Sequence, residues 1–263
     1  MPGRIVEIAN DNRFLSVYRG FLVVRSTEGG REEIGRVPLD DIDALICNAY
    51  GLSYTNNVLV AMAERGAPVV LCGVNHLPVG VIWPFHGNHY QSRRIDAQIS
   101  CKPTLRKQLW ASIVISKINQ QAALLKELGR PHMAIKRLAK QVRSGDPNNI
   151  EAQAARAYWP ILFGSSFRRN RADEGVNGLL NYGYTLLRSC VGRATIAAGL
   201  HPSIGFHHSN ETNPMRLVDD LMEPYRPFID QTVLTLVDSG QKEVNSESKR
   251  QLLTTLYSDI RTE

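Results

Sequence analysis

Residues 83–125 read WPFHGNHYQSRRIDAQISCKPTLRKQLWASIVISKINQQAALL, and the spacing of apolar residues changes within them. Before this stretch, short β-branched and aromatic runs alternate with turn residues, which is typical of strands. After Ser92, apolar residues recur every three or four positions, which is typical of amphipathic helices. Trp83–His89 therefore predicts a linker. The chain as a whole predicts an α+β fold, with an N-terminal β-rich domain at residues 1–85 followed by an all-helical domain at residues 86–263.

The N-terminal part predicts a small domain built on strands. Two of its strand-like runs, Phe14–Tyr18 and Phe21–Arg25, are separated by Arg19-Gly20, which is a signal for a hairpin turn. A single helical pattern, Thr55–Glu64, is followed by the apolar run Pro68–Cys72, which is typical of a buried strand.

The second part predicts a bundle of helices. Pro103 stands where the first turn of a helix tolerates its missing N–H, and Gly129 ends the long apolar pattern that follows it. Asn148 and Asn149 can cap the start of a later helix. Val176–Ala198 is apolar around almost its whole circumference, which predicts the central helix of the domain.

The composition is that of a globular protein. The chain has 263 residues, of which 43% are hydrophobic, and this excludes collagen-like, low-complexity and wholly disordered classes. Its apolar runs stay below the roughly 20 residues that cross a bilayer, and its first residues lack the apolar core of a signal peptide. The four cysteines form no Cys-x-x-Cys pair. We therefore expect a cytoplasmic protein with reduced thiols and no membrane partner.

Basic residues are concentrated in one part of the chain. Of the 31 Lys and Arg and the 25 Asp and Glu, 14 basic and three acidic residues lie between residues 101 and 171. Such a segment favours a polyanionic partner, above all nucleic acid, because neutralising phosphates releases counterions. Solvated outer faces of helices would give the same pattern and remain the alternative. The residues that we expect to contact DNA are Arg137, Lys140, Arg143, Arg168 and Arg169.

Imidazole and carboxylate side chains recur in the last third of the chain. His207 and His208 precede a helical segment in which Asp220 and Glu223 lie three residues apart and therefore share a face. Two such carboxylates repel each other unless a cation lies between them. A divalent ion is one such cation, and a nearby histidine suits manganese as well as magnesium. A surface ion pair between Arg216 and Asp220 is the simpler alternative.

Glu151 is one of the three acidic residues in the basic segment. Its ordinary interpretation is a charge partner for Arg156 or Arg168. Glu151 together with a histidine and a second acid, beside a basic surface, is nevertheless what a metal-dependent phosphodiester enzyme needs. The metal polarises the phosphoryl oxygen and lowers the pKa of the attacking water or hydroxyl.

Four phrases carry a resemblance to a known family. They are IEAQAARAYW at 150–159, VNGLLNYGY at 176–184, GFHH at 205–208 and DLMEPYRP at 220–227. In this order they resemble the CRISPR-associated integrase family, the endonucleases that capture new spacers in bacterial adaptive immunity, and most closely its compact type II branch. The order of a β domain and a helical catalytic domain extends the resemblance to the whole chain.

The resemblance implies roles for individual residues. Glu151, His208 and Glu223 match the catalytic residues that hold Mg²⁺ or Mn²⁺ in this family, and Asp220 matches an auxiliary acid nearby. His208 is third after the glycine of the Gly-x-x-His phrase, whereas His207 occupies a position that is more often apolar and is auxiliary. Some relatives carry an aspartate where Glu223 stands.

The resemblance also implies a reaction and partners. The 3′-hydroxyl of a captured double-stranded DNA fragment attacks a phosphodiester at the boundary of a CRISPR repeat, without a covalent enzyme intermediate, and water in place of the hydroxyl gives nuclease activity. The family acts as homodimers, formed through the β domain and bridged by a dimer of the small second CRISPR-associated protein. Two alternatives remain, namely a non-catalytic DNA-binding subunit and a general structure-specific nuclease that cuts branched DNA without joining ends.

Other kinds of site have less support in the sequence. Cys72, His76, His86 and His89 are residue types that bind zinc, but no second cysteine accompanies Cys72. The chain has no Gly-x-x-x-x-Gly-Lys-Ser/Thr loop for nucleotide phosphates and no nucleophile elbow around its serines. Tyr182 lies in an apolar helical pattern, so we expect it in the core rather than stacked on a base.

Overall fold

A computed structural model describes residues 4–30, 32–74, 78–84 and 91–256. The chain divides into two compact units, residues 1–92 with 197–199 and residues 93–196 with 200–263. The boundary predicted between residues 85 and 86 lies outside the described residues, as do His76, His86 and His89 of the zinc alternative. Strands come first and helices follow, which confirms the predicted α+β class.

The described part of the first unit contains two four-stranded sheets. One has the strand order β1-β5-β7-β8, in which β1, β5 and β7 are parallel and β8 is antiparallel to β7. The other has the order β4-β3-β2-β6. The strands are β1 (Arg4–Ile8), β2 (Arg13–Tyr18), β3 (Phe21–Ser26), β4 (Glu33–Pro38), β5 (Ile42–Cys47), β6 (Ser53–Tyr54), β7 (Val69–Cys72) and β8 (Pro78–Ile82).

The hairpin of β2 and β3 forms where the sequence predicts it. Arg19 and Gly20 both have positive φ, at 47° and 80°, and two such residues give the turn whose twist matches paired antiparallel strands. Leu15 and Leu22 are wholly buried on the two strands. Helix α1 (Asn56–Glu64) contributes to the same apolar core, and this core fixes which face of each strand is buried.

Helices make up the second unit. They are α2 (Gln91–Ile99), α3 (Pro103–Glu127), α4 (Met133–Ala139), α5 (Ile150–Phe163), α6 (Val176–Ala197), α7 (Arg216–Met222), α8 (Arg226–Asp238) and α9 (Ser246–Thr255). A 3₁₀ turn, Glu223–Tyr225, joins α7 directly to α8. No helix in the described part of the chain combines the length and apolar character required to cross a membrane.

The core of the second unit lies between α3, α4 and α5. Val114 and Ile118 of α3 are wholly buried, and they belong to the same cluster as Ile135 of α4 and Tyr158 of α5. Burying a large apolar side chain contributes roughly 1.5–3 kcal/mol. Packing of this kind therefore sets the positions of α3 and α5, which carry part of the candidate site.

A carboxylate lies inside this core. Asp230 of α8 is 1% exposed, the Tyr158 hydroxyl donates to its Oδ2 over 2.9 Å, and the Tyr184 hydroxyl donates to its Oδ1. Burial raises the pKa of Asp230 to about 6, although both hydroxyl groups stabilise the charged form. Tyr182 is also buried, which confirms its expected place in the core.

We predict that Asp230 makes the stability of the protein fall as pH rises from 4 to 6. The pKa is about 6 in the folded state against an ordinary 3.8, so the folded state binds more protons in this window. The stability that Asp230 contributes is thus fully present below 3.8 and is lost as pH rises through 6, at about 1.4 kcal/mol per pH unit. Urea unfolding of wild type and Asp230→Asn at several pH values measures the difference.

Asp238→Asn, which removes an exposed carboxylate from the same helix, is the matched control. The change in its free energy of unfolding gives the effect of losing one surface charge. This effect is subtracted from the change measured for Asp230→Asn. A difference between wild type and Asp230→Asn that stays constant from pH 4 to pH 6 would contradict the prediction.

Candidate active site

Glu151 lies in the first turn of α5, where the backbone is held by two side chains. Asn149 has a φ of 50° and caps the helix by accepting a hydrogen bond from the Ala152 N–H over 3.3 Å. The carboxylate of Asp146 accepts from the N–H groups of Ile150 and Glu151, over 2.9 Å and 3.0 Å. These bonds satisfy donors that the helix itself leaves free, so the start of α5 has one fixed position.

Glu223 lies in the 3₁₀ turn between α7 and α8 and is 5% exposed. Lys117 Nζ, from the middle of α3, is 2.6 Å from Glu223 Oε2, and Arg226 Nη2 is 2.9 Å from Oε1. Burial would raise the pKa of Glu223, but the charges of Lys117 and Arg226 outweigh it and lower the pKa to about 2. Glu223 is therefore a carboxylate in the folded protein.

Lys117 joins the two glutamates. Its Nζ is 2.6 Å from Glu151 Oε1 as well as 2.6 Å from Glu223 Oε2, and its side chain is only 12% exposed. Burial would lower the pKa of Lys117, but the charges of Glu223 and Glu151 raise it. The structure thus brings Glu151 and Glu223 together around one cation. The partner of Glu151 is Lys117, not the Arg156 or Arg168 that local spacing suggests.

His208 is oriented by Asp220. Its Nδ1 lies 2.7 Å from Asp220 Oδ1, and the same carboxylate accepts from the backbone N–H groups of Phe206, His207 and His208, over 2.8, 3.2 and 3.1 Å. Asp220 is wholly buried and is used in this way rather than in a surface pair with Arg216. The hydrogen bond to Asp220 raises the pKa of His208. An imidazole that donates through Nδ1 keeps Nε2 for a metal.

His207 is held in a different way. Its ring stacks on Trp110 of α3 with centroids 3.7 Å apart and 1° between the planes, while the His208 ring meets Trp110 edge-on at 6.0 Å. Burial lowers the pKa of His207. The two neighbouring imidazoles therefore differ, since one packs against an indole and the other is bound to a carboxylate.

These donors suit a divalent cation. Carboxylate oxygens such as those of Glu151 and Glu223, which meet at Lys117, and an imidazole nitrogen are ligand types that Mg²⁺ and Mn²⁺ accept. The negative charge of Glu223 also acts on His208, and that of Glu151 acts on His207, so both imidazoles are within electrostatic reach. Within the described residues, no three His, Cys, Asp or Glu side chains are grouped closely enough to hold a metal as they stand. The cation between Glu151 and Glu223 is the Lys117 ammonium.

The five residues expected at DNA fall into two groups. Three of them are exposed on α4 or just after it, namely Arg137, Lys140 and Arg143. Arg168 is exposed too, and its Nη1 donates to the carbonyls of two residues in its own loop. Arg169 donates hydrogen bonds to two residues of α6. Its Nη1 donates to Asn177 Oδ1 over 2.9 Å, and its Nη2 donates to Asn181 Oδ1 over 2.7 Å. Contact of all five with DNA stays a prediction.

Sequence reasoning did not find Lys117, Asp146, Arg226 or Trp110. One signal for Lys117 was available, because it follows Trp110 and Val114 at spacings of seven and three, on the buried face of α3. A lysine at a core position of a long helix needs an acidic partner. The acidic partners of Lys117 are Glu151 and Glu223, which lie 34 and 106 residues away along the chain. The spacing of neighbouring residues does not reveal such distant pairs.

We predict that Gly205→Ala destabilises the protein. A Cβ atom at Gly205 would lie 2.9 Å from Asp220 Oδ2 and 2.9 Å from Arg216 Cβ, so the carboxylate or the loop must move. Forcing an extra methyl into a packed site costs typically about 1–3 kcal/mol. Urea unfolding should show a loss of that size. At Gly35 nothing lies within 4 Å of the added Cβ, so Gly35→Ala is the control, and an equal effect of both changes would contradict the prediction.

Comparison with protein-family models gives one match over nearly the whole chain. The family described as "CRISPR associated protein Cas1" matches residues 6–259. Among curated proteins, the "CRISPR-associated endonuclease Cas1" of Neisseria meningitidis serogroup C (strain 8013) is 38% identical over 267 residues, which cover 100% of this chain and 86% of the relative.

Solved structures show the same fold. A casposase bound to integration product has a TM-score of 0.80 at 18% identity, covering 97% of this chain and 82% of its own. A Cas6-RT-Cas1–Cas2 complex has a TM-score of 0.73 at 20% identity, covering 97% of this chain but 32% of the longer chain. The family match and the 38% identity of the curated relative lead to one assignment, and the chain belongs to the Cas1 family of CRISPR-associated proteins.

Proposed function

We propose that this chain is a metal-dependent DNA endonuclease and integrase, which inserts captured DNA fragments into a CRISPR repeat array by transesterification at their 3′-hydroxyl ends. The observation that carries the proposal is the convergence of Glu151 and Glu223 on one cation, together with the orientation of His208 by Asp220 within electrostatic reach of Glu223. The curated relative is named an endonuclease, and one similar structure is a casposase bound to integration product. The first name agrees with DNA cleavage and the second with DNA strand transfer.

Glu151, His208 and Glu223 would hold the ion, which is Mg²⁺ or Mn²⁺. When bound there, such an ion supplies Lewis acidity to a phosphoryl oxygen and lowers the pKa of the attacking hydroxyl. A 3′-hydroxyl as attacking group gives joining, and water gives cleavage.

Residues around the ligands keep them in place. Asp220 fixes the ring of His208, Asp146 fixes the turn that carries Glu151, and Arg226 neutralises the second oxygen of Glu223. None of these three needs to touch DNA for this role. They act as positioning residues, which reduce the reorganisation that the reaction would otherwise require.

DNA would be held by exposed basic residues of the same unit. Arg137, Lys140 and Arg143 lie exposed on or just after α4 and can contact successive phosphates. We further propose that the protein forms homodimers, and that a Cas2-type protein bridges them. A Cas2-type partner is supported by the similar fold of a chain in a Cas6-RT-Cas1–Cas2 complex, whereas the homodimer rests on the family resemblance alone.

One observation favours a second candidate, a DNA-binding subunit without catalytic activity. Lys117 already neutralises both glutamates, so the acids could serve only to join α3 to α5 and to the 3₁₀ turn. A buried pair of this kind holds helices together without any metal. In that case the protein would show no cleavage or joining with any divalent ion, and substitution of Glu151 would affect stability alone.

We predict that Glu151→Ala and His208→Ala each abolish strand transfer while leaving DNA binding nearly intact. Loss of one ligand removes several kcal/mol of electrostatic stabilisation, so the rate should fall at least about 100-fold. The measurement is joining of a labelled double-stranded fragment to a repeat-containing plasmid in Mg²⁺ or Mn²⁺, with duplex binding measured in parallel.

Glu211→Ala is the control, because it removes an exposed glutamate three residues from His208. Full activity of either Glu151→Ala or His208→Ala would remove that residue from the site. Cleavage of branched DNA without any joined product would favour the general nuclease.

We predict that replacing both Arg137 and Lys140 with Ala weakens DNA binding and reduces its dependence on salt. Each lost phosphate contact should lower the slope of log K against log salt by about 0.9 for duplex DNA. Fluorescence anisotropy between low and physiological salt measures the slope. The control variant has Lys242 and Arg250 replaced by Ala, so it loses the same charge from a part of the chain outside residues 101–171. A slope that stays at the wild-type value in the first variant would show that these two residues face away from DNA.

A further inference from the structure

The centre of the candidate site is filled by a side chain of the protein itself. Lys117 Nζ lies 2.6 Å from an oxygen of Glu151 and 2.6 Å from an oxygen of Glu223. The side chains of Lys117 and Glu223 are 12% and 6% exposed and that of Glu151 is 25% exposed, so water screens the pair of Lys117 with Glu223 weakly and the pair with Glu151 more. An ammonium in this position does for the two carboxylates what a bound cation would do.

Two cations cannot use these oxygens in the same way at once. A carboxylate oxygen binds Mg²⁺ at about 2.0–2.1 Å, and the oxygens of Glu151 and Glu223 already accept from one ammonium. An ion placed between them would lie within contact distance of Nζ. The repulsion between a divalent ion and an ammonium at such a distance is stronger in a partly buried site than in bulk water.

Of the two cations that contact Glu223, Lys117 is the one that is able to move away from the carboxylates. A lysine carries its charge on a flexible stem of four carbons and has no fixed geometry of hydrogen bonds. Arg226 contacts the other oxygen of Glu223 and also lies over the ring of Tyr184, with 4.5 Å between its Cζ and the ring centroid. After departure of the Lys117 ammonium, Glu223 would therefore still have one cationic partner.

We propose that Lys117 is a built-in competitor for the metal, whose ammonium holds Glu151 and Glu223 together in the metal-free protein and leaves them when a divalent ion binds. This inference rests on the proposed metal site. It assigns Lys117 a role before the reaction, because the ammonium preserves the arrangement of the two carboxylates at the cost of metal affinity. Lys117 is in this sense a positioning residue that acts through Glu151 and Glu223.

The test is the affinity for Mn²⁺ in the absence of DNA, measured by isothermal titration calorimetry on the full chain. Lys117→Met keeps the length of the side chain and removes its charge, and it should bind Mn²⁺ at least about tenfold more tightly than wild type, since a buried competing charge is lost. Lys117→Arg keeps the charge and should bind no more tightly than wild type. Lys107→Met removes an exposed lysine from the same helix and should leave the affinity unchanged.

The outcomes separate this inference from the proposed function. Equal or weaker binding by Lys117→Met, with measurable binding by wild type, overturns the inference and leaves the metal site standing. Absence of binding by wild type and by Lys117→Met overturns both.

A measurement on the wild type covers the case in which Lys117→Met does not fold. Acylation of lysines by an N-hydroxysuccinimide ester, read by mass spectrometry, should become several-fold faster at Lys117 when Mn²⁺ is saturating, and should not change at exposed Lys107. An unchanged rate at Lys117 contradicts its departure from the carboxylates.

Discussion

The architecture of the candidate site depends on two carboxylates, one buried and one partly exposed, that share one ammonium. Glu223, whose side chain is 6% exposed, needs a positive partner because burying an unpaired charge costs several kcal/mol, and the same partner offsets its repulsion with Glu151, whose side chain is 25% exposed. Lys117 supplies this charge from the middle of a long helix, α3. The pairing therefore joins three segments that are distant in sequence, and it explains why a strongly polar group is tolerated on the core-facing side of α3.

The carboxylates of this region divide into two kinds. Asp146 and Asp220 accept hydrogen bonds from backbone N–H groups and so determine where the chain runs, whereas Glu151 and Glu223 accept from side-chain cations. The first kind fixes the backbone, and the second kind is the one that we propose as metal ligands. The loop around Asp220 also needs Gly205, since any Cβ there would collide with the carboxylate. The glycine of the phrase at residues 205–208 is thus explained by the space that the Asp220 side chain occupies.

Local patterns predicted the secondary structure well and the contacts poorly. The Arg19-Gly20 turn, the start of α3 at Pro103 and the burial of Tyr182 follow from neighbouring residues alone. The two-residue strand Ser53–Tyr54 was too short to leave a pattern. Local spacing also suggested the wrong partners for Glu151 and Asp220, because it favours nearby arginines. Their actual partners are set by how distant helices and loops pack, which neighbouring residues do not encode.

The stack of Trp110 on His207 places an indole directly against the segment that carries His208. Tryptophan emission responds to the polarity and contacts of the ring, so displacement of this segment would change the fluorescence of a chain that has three tryptophans. With Trp83 and Trp159 replaced by Phe, the remaining signal would come from within the site. The protein thus carries an optical reporter of the segment that holds His207 and His208, and ordering of that segment could be followed in solution without an added label.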